Sequence, residues 1–159
     1  MDRRRFLVTS LAGAVAAPLA VGAQRGGSLP RLCFLTLEPG TAQSPSPRFE
    51  AFFQSLRDLG YIAGRTITLD YLSADGRTER FPALAAECVR LKPDVIASST
   101  TPGAQAAKRA TQTVPIVMLA LGDPVATGLV DSLARPGGNV TGVSSMTSGP
   151  MPKRLQLLK

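Results

Sequence analysis

Four hydroxyl side chains in a row, Ser98, Ser99, Thr100 and Thr101, end an apolar run and stand immediately before Pro102, Gly103 and an alanine-rich stretch. Such hydroxyls both donate and accept hydrogen bonds. A helix opening at Pro102 turns unpaired backbone N–H groups and the positive end of its dipole toward the same place. Ser or Thr at a helix start with Pro in the first turn is also plain capping, but capping occupies one hydroxyl of the four. Ser99, Thr100 and Thr101 are therefore candidate contacts for a carboxylate or another small anion. Gly122-Asp123-Pro124 repeats the pattern: Asp123 before proline is a good cap and, equally, a candidate partner for an amine. Glu38, after an earlier apolar run, is a further amine candidate, with a solvated loop residue as the alternative.

Little else in the chain can do chemistry. Its 159 residues include no histidine, which removes the commonest general base and the usual metal ligand. Asp58, Glu79 and Glu87 fall on helical stretches as surface charges, and Glu38, Asp75 and Asp123 stand separately at strand ends. No cysteine cluster has metal spacing, and neither a Walker loop nor a Gly-x-Gly-x-x-Gly fingerprint follows the first apolar run. The sequence reads as a binding protein without catalytic residues, metal or cofactor.

The elements that must hold these residues follow from periodicity. Leu32 to Leu37 is continuously apolar, as in a strand covered on both faces. Phe49, Phe52, Phe53 and Leu56 recur at helical spacing until Gly60. Thr66 to Leu72 alternates like a strand near a sheet edge, and Phe81, Leu84, Ala85, Cys88 and Val89 form a second helical stripe. Asp94 to Ser98, Ala104 to Ala110 and Pro115 to Leu121 give strand, helix and strand. A fourth helix is expected from Gly122, with Val125, Leu129 and Leu133 four apart and Pro136-Gly137-Gly138 closing it, before a fifth strand from Asn139 to Ser144. Alternation at this spacing predicts an α/β fold, a doubly wound parallel sheet with helices on both faces. In the flavodoxin-like order two, one, three, four, five, the loops after Leu37 and Ser98 flank the switch point where such sheets bind ligands.

The ends and the composition bound the setting. Met1-Asp-Arg-Arg-Arg-Phe-Leu7, an apolar stretch to Val21 and small residues at Gly22 and Ala23 predict an export signal, residues 1–23, cleaved after Ala23. The arginines followed by Phe6 and Leu7 are twin-arginine-like, although Asp2 and Val8 depart from that motif. Residues 24–30 read as a linker, residues 31–149 as one lobe, and residues 150–159 as the start of a further, amphipathic helix. The expected location is the periplasm. The full sequence carries a net charge of +7, and without residues 1–23 it has 15 basic and 10 acidic residues, a net of +5. These charges are scattered, with two Tyr and six Phe among them, so no nucleic-acid stripe is present. Cys33 and Cys88 both fall at buried positions, which reads as two core thiols; pairing stays open, since spacing does not show whether their Cα atoms come within about 7 Å.

A set of short stretches carries a family resemblance. Arg3-Arg-Arg-Phe-Leu7, Leu59-Gly-Tyr-Ile-Ala-Gly64, Pro82-Ala-Leu-Ala-Ala86, Asp94-Val-Ile96, Val114-Pro-Ile-Val117, Gly122-Asp-Pro-Val125 and Ala134-Arg-Pro-Gly-Gly-Asn-Val-Thr-Gly-Val143 occur in that order. Together they resemble the substrate-binding proteins of ABC transporters, in the group that includes tryptophan- and tyrosine-type uptake components. The resemblance implies a type I periplasmic binding protein of two α/β lobes, of which this sequence holds the first, with the hinge segment opening at 150–159 and cut short. It implies a small-molecule ligand, an amino acid or related carboxylate, a membrane permease as partner, and a monomer. Contacts would come from the loops after strands one, three and four, near Glu38, Ser99 to Thr101, and Gly122 to Asp123. Ser98-Ser-Thr-Thr-Pro102 departs from the family's commoner glycine-containing version. A sensory domain coupled to a signalling system and a non-functional remnant are the alternative readings.

Overall fold

The computed structural model describes residues 28–145. The expected signal (1–23) and the hinge segment expected at 150–159 lie outside the described residues. Five strands, β1 (Arg31–Thr36), β2 (Thr68–Ser73), β3 (Val95–Ser98), β4 (Ile116–Leu121) and β5 (Val140–Ser144), form one parallel sheet in the order β2-β1-β3-β4-β5. The helices are α1 (Glu50–Asp58), α2 (Phe81–Arg90) and α3 (Thr101–Ala110). Short 3-10 turns at Pro47–Phe49 and Thr78–Arg80 lead into α1 and α2. The strand order is the one the sequence predicts.

Period-two alternation divides the strand side chains between two cores. Cys33, Leu35, Ile96, Ile116, Met118 and Val140 point to the face covered by α2 and α3, where Phe81, Leu84, Ala104 and Ala107 meet them. Leu32, Phe34 and Ala97 point to the opposite face, under α1. There Phe34 sits among the rings of Phe49, Phe53, Tyr71 and Phe52, at centroid distances of 5.1, 5.0, 5.3 and 5.7 Å. The chain leaves β1 in one direction along the sheet and β2 and β3 in the other, so right-handed crossovers put α1 on one face and α2 and α3 on the other. On the α1 face a groove of about 350 Å³ remains beside the helix, lined by Phe52, Leu56, Val95, Ala97 and Val117.

Two expectations need correction. Residues 124–138 form no fourth helix. Asp123 Oδ1 accepts from the N–H groups of Val125 and Ala126 at 2.9 and 3.0 Å, and a single turn follows. Gly128, at φ +69°, then wraps the chain so that Leu129 N–H and Val130 N–H both return to the Pro124 carbonyl. The four-residue spacing misled because only one of its members is interior: Leu129 is 1% exposed, whereas Val125 is 43% and Leu133 60% exposed. The second correction concerns the cysteines. Cys33 on β1 and Cys88 on α2 are joined by a disulfide across a Cα–Cα distance of 6.1 Å, both residues fully buried. Packing α2 directly over β1 brings the two positions within bonding reach, which no local pattern announces.

Asn139 and Gly142 show why the Arg-Pro-Gly-Gly-Asn-Val-Thr-Gly stretch has its composition. Asn139 Nδ2 donates to the carbonyls of Thr111 and Val114 at 3.2 and 2.7 Å, tying the start of β5 to the α3–β4 connection. Gly142 has φ +134°, and a Cβ there would lie 2.3 Å from the Met118 carbonyl oxygen, beside the irregularity where β4 and β5 shift register.

Candidate functional site

Because all five strands run in parallel, the loops after β1, β2, β3 and β4 emerge at one edge of the sheet. The connections from β1 and β3 depart in opposite directions, so the crevice between their loops is the switch point. Register places Leu35 beside Ser98 and Ser98 beside Met118, which sets the loop after β3 between the other two. Glu38, Ser99, Thr100, Thr101, Gly122 and Asp123 all lie along this edge, as the sequence predicts.

The four hydroxyls divide their work. Ser98, fully buried, donates to the Thr100 carbonyl at 3.1 Å. Thr100 is the N-cap of α3, its Oγ1 accepting from Gly103 N–H at 3.1 Å. Ser99, 7% exposed, donates to Thr36 Oγ1 at 3.0 Å, joining the ends of β3 and β1. Thr101, half-buried in the first turn of α3, has no hydrogen-bond partner for its hydroxyl among the described residues. Three of the four are thus committed to building the edge. Gly103 completes the packing: a Cβ there would stand 2.7 Å from Ser98 Oγ, 2.9 Å from Thr100 Oγ1 and 3.0 Å from the Phe81 ring. Glycine to alanine usually favours a helix interior by about 1 kcal/mol. Here Gly103→Ala is expected to destabilise by about 1–3 kcal/mol, since the added methyl meets the fully buried Ser98 and Phe81 and the capping Thr100; the midpoint of a urea titration checks the sign.

Glu38 is held more firmly than a loop carboxylate ordinarily is. The Thr36 hydroxyl, itself fully buried, donates to Glu38 Oε2 at 2.5 Å, and Arg48 Nη1 donates to Oε1 at 2.6 Å. The Glu38 carbonyl accepts from Ser73 Oγ at 2.8 Å, with the Tyr71 hydroxyl at 3.5 Å. Burial works against the charged form of Glu38. The hydrogen bonds from Thr36, from its own main chain and from Arg48, with the Arg48 charge, outweigh burial and leave its pKa below the ordinary 4.5. A depressed pKa in the folded state adds stability that is present above the unfolded value and lost as pH falls through the folded one. The melting-temperature advantage of wild type over Glu38→Gln is therefore expected to be full at about pH 6, to shrink as pH falls below 4.5, and to be lost once the folded chain also protonates Glu38.

Asp123 spends Oδ1 on the turn that follows β4, and Gly122, exposed, accepts from Ser144 Oγ at 3.1 Å. Thr36, Arg48 and Ser73 belong to the same edge and escape a reading of the sequence. Thr36 hides in an apolar run, and Arg48 and Ser73 carry no periodic signal. Among the described residues no group of three or more His, Cys, Asp or Glu could hold a metal ion, and no helix is long and apolar enough to cross a membrane.

The fold is a flavodoxin-ordered parallel α/β lobe, and hydroxyls and charges line its carboxyl edge, where sheets of this order place their ligands. A sequence model of the ABC transporter substrate binding protein family matches residues 45–159, and the chain belongs to that family. A curated relative, the tyrosine-binding protein of Clostridioides difficile (strain R20291), is 42% identical over 110 residues, which are 69% of this chain and 31% of the relative. The ligand-free, open structure of a substrate binding protein with adhesive properties from Clostridium difficile matches with a TM-score of 0.69 at 30% identity, over 82% of this chain and 43% of that one. A domain from Streptococcus pneumonia solved in complex with L-Trp matches with a TM-score of 0.63 at 27% identity, over 75% of this chain and 39% of that one. The chain thus spans less than half the length of each of these proteins.

Proposed function

We propose that the chain is the ligand-receiving first lobe of an exported solute-binding component of an ABC importer, which captures a small polar solute and presents it to a membrane permease. The solute in this reading is an amino acid or a related carboxylate, in keeping with the tyrosine and L-Trp named for two of the relatives. One observation carries it: at the switch point, Ser99, Thr36, Glu38 and Arg48 form a continuous hydrogen-bonded chain from the buried end of β3 to an exposed guanidinium. Beside it the first turn of α3 offers the unspent hydroxyl of Thr101, since Pro102 has no N–H and those of Gly103 and Ala104 are already bonded to Thr100. The lobe works by closing on the solute with a second lobe, as a monomer, in the periplasm after cleavage at Ala23. Saturation-transfer NMR of the full chain with the twenty amino acids tests the reading. Saturable transfer to a subset of them, L-Tyr or L-Trp included, is the expected result; a folded chain that receives none of the twenty contradicts it.

A further inference from the structure

Arg48 reaches the ligand edge from the 3-10 turn before α1. Its Nη1 lies 2.6 Å from Glu38 Oε1, its Cζ stands 5.8 Å from the centre of the Phe49 ring, and 68% of its side chain is exposed. A guanidinium has five N–H donors; one is committed here, while ring and carboxylate fix the position of the group. Glu38 is fixed in turn, with Oε2 taken by Thr36 and its carbonyl by Ser73. Its carboxylate still has acceptor sites to spare, since two oxygens offer about four and two are filled. The pair therefore sets unused donors on a cation beside unused acceptors on an anion, and its own charges cancel.

We propose that Glu38 and Arg48 form a clamp for a zwitterion, the ligand's carboxylate on the Arg48 guanidinium and its ammonium on the Glu38 carboxylate. The proposal rests on the solute-binding reading and narrows its ligand class to α-amino acids and other net-neutral zwitterions. A plain carboxylate meets repulsion from Glu38, and a plain amine meets it from Arg48. Only a ligand with both charges gains from both residues.

The test uses the smallest probes that carry these groups. The ¹⁵N,¹³C-labelled full chain is titrated with glycine, sodium acetate and methylammonium chloride at one ionic strength, following the Nε–H resonance of Arg48 and the carboxyl carbon of Glu38. Glycine is expected to move that signal saturably, with a dissociation constant about five-fold below that of acetate, the gain from one added charge contact at about 4 Å in water. Methylammonium is expected to leave it in place. In Glu38→Gln the difference between glycine and acetate disappears, a readout that loss of a structural contact alone would not move; in Arg48→Gln the glycine response of the Glu38 carboxyl carbon is lost. Equal binding of glycine and acetate by wild type, or an Arg48 signal indifferent to glycine, overturns the clamp. Calorimetry with L-Tyr and L-Trp separates the two levels of the account. Amino-acid binding unchanged in both variants sinks the clamp and leaves the solute-binding lobe standing, whereas wild type silent to glycine, L-Tyr and L-Trp alike overturns both.

Discussion

Gly142→Ala is expected to cost the lobe more than about 4 kcal/mol, beyond the range of ordinary single substitutions. Two independent obstacles coincide. At φ +134° the backbone occupies a region that a side chain with Cβ rarely enters. The new methyl would also fall 2.3 Å from the Met118 carbonyl oxygen and 2.5 Å from its nitrogen, both main-chain atoms of the neighbouring strand that no side-chain rotation can clear. β5 must then draw away from β4, exposing Val140 and loosening Asn139 from the Thr111 and Val114 carbonyls. The outcome is read in a urea titration with hydrogen exchange: unfolding at a much lower denaturant concentration, with amides of β4 and β5 losing protection first. A variant with the wild-type midpoint would mean that β5 does not sit against β4 as described.

Breaking the Cys33–Cys88 disulfide has the second largest expected effect, about 2–4 kcal/mol. It closes a loop of 55 residues that runs from β1 through α1 and β2 to α2, so it constrains a third of the chain in the unfolded state. Both cysteines are fully buried in the core that α2 and α3 share with the sheet, so nothing on the surface substitutes for the link. A reductant should lower the urea midpoint of wild type to near that of the Cys33→Ala/Cys88→Ala chain, which should itself ignore the reductant. A wild-type midpoint indifferent to reductant would show two thiols instead.

What the sequence reveals depends on whether a feature is local. The Leu32–Leu37 run is apolar at every position but Thr36 because β1 lies in the sheet interior between β2 and β3, and the register of the whole edge follows from that placement. The Phe49, Phe53, Leu56 stripe and the α2 stripe are legible for the same reason: each buries one face of a helix. Residues 124–138 were opaque because burial there depends on how Gly128 redirects the chain, not on periodicity. The disulfide and the Thr36–Glu38–Arg48 chain join residues on different elements or in loops, so composition and spacing hold no trace of them. Of the hydroxyl run at 98–101, the sequence locates the cluster, while only the fold shows that Ser98, Ser99 and Thr100 are occupied with structure and Thr101 is not.

The central claim is that ligand meets this lobe at the carboxyl edge of its sheet, and amide shift mapping with L-Tyr or L-Trp on the ¹⁵N-labelled full chain tests it most directly. The account predicts saturable shifts at Glu38, Arg48, Thr101 and Asp123, on loops that β1, β3 and β4 bring to one edge. Shifts confined to the opposite edge, around Arg31, Tyr61 and Lys92, or to the groove between α1 and Val95, Ala97 and Val117, would contradict it.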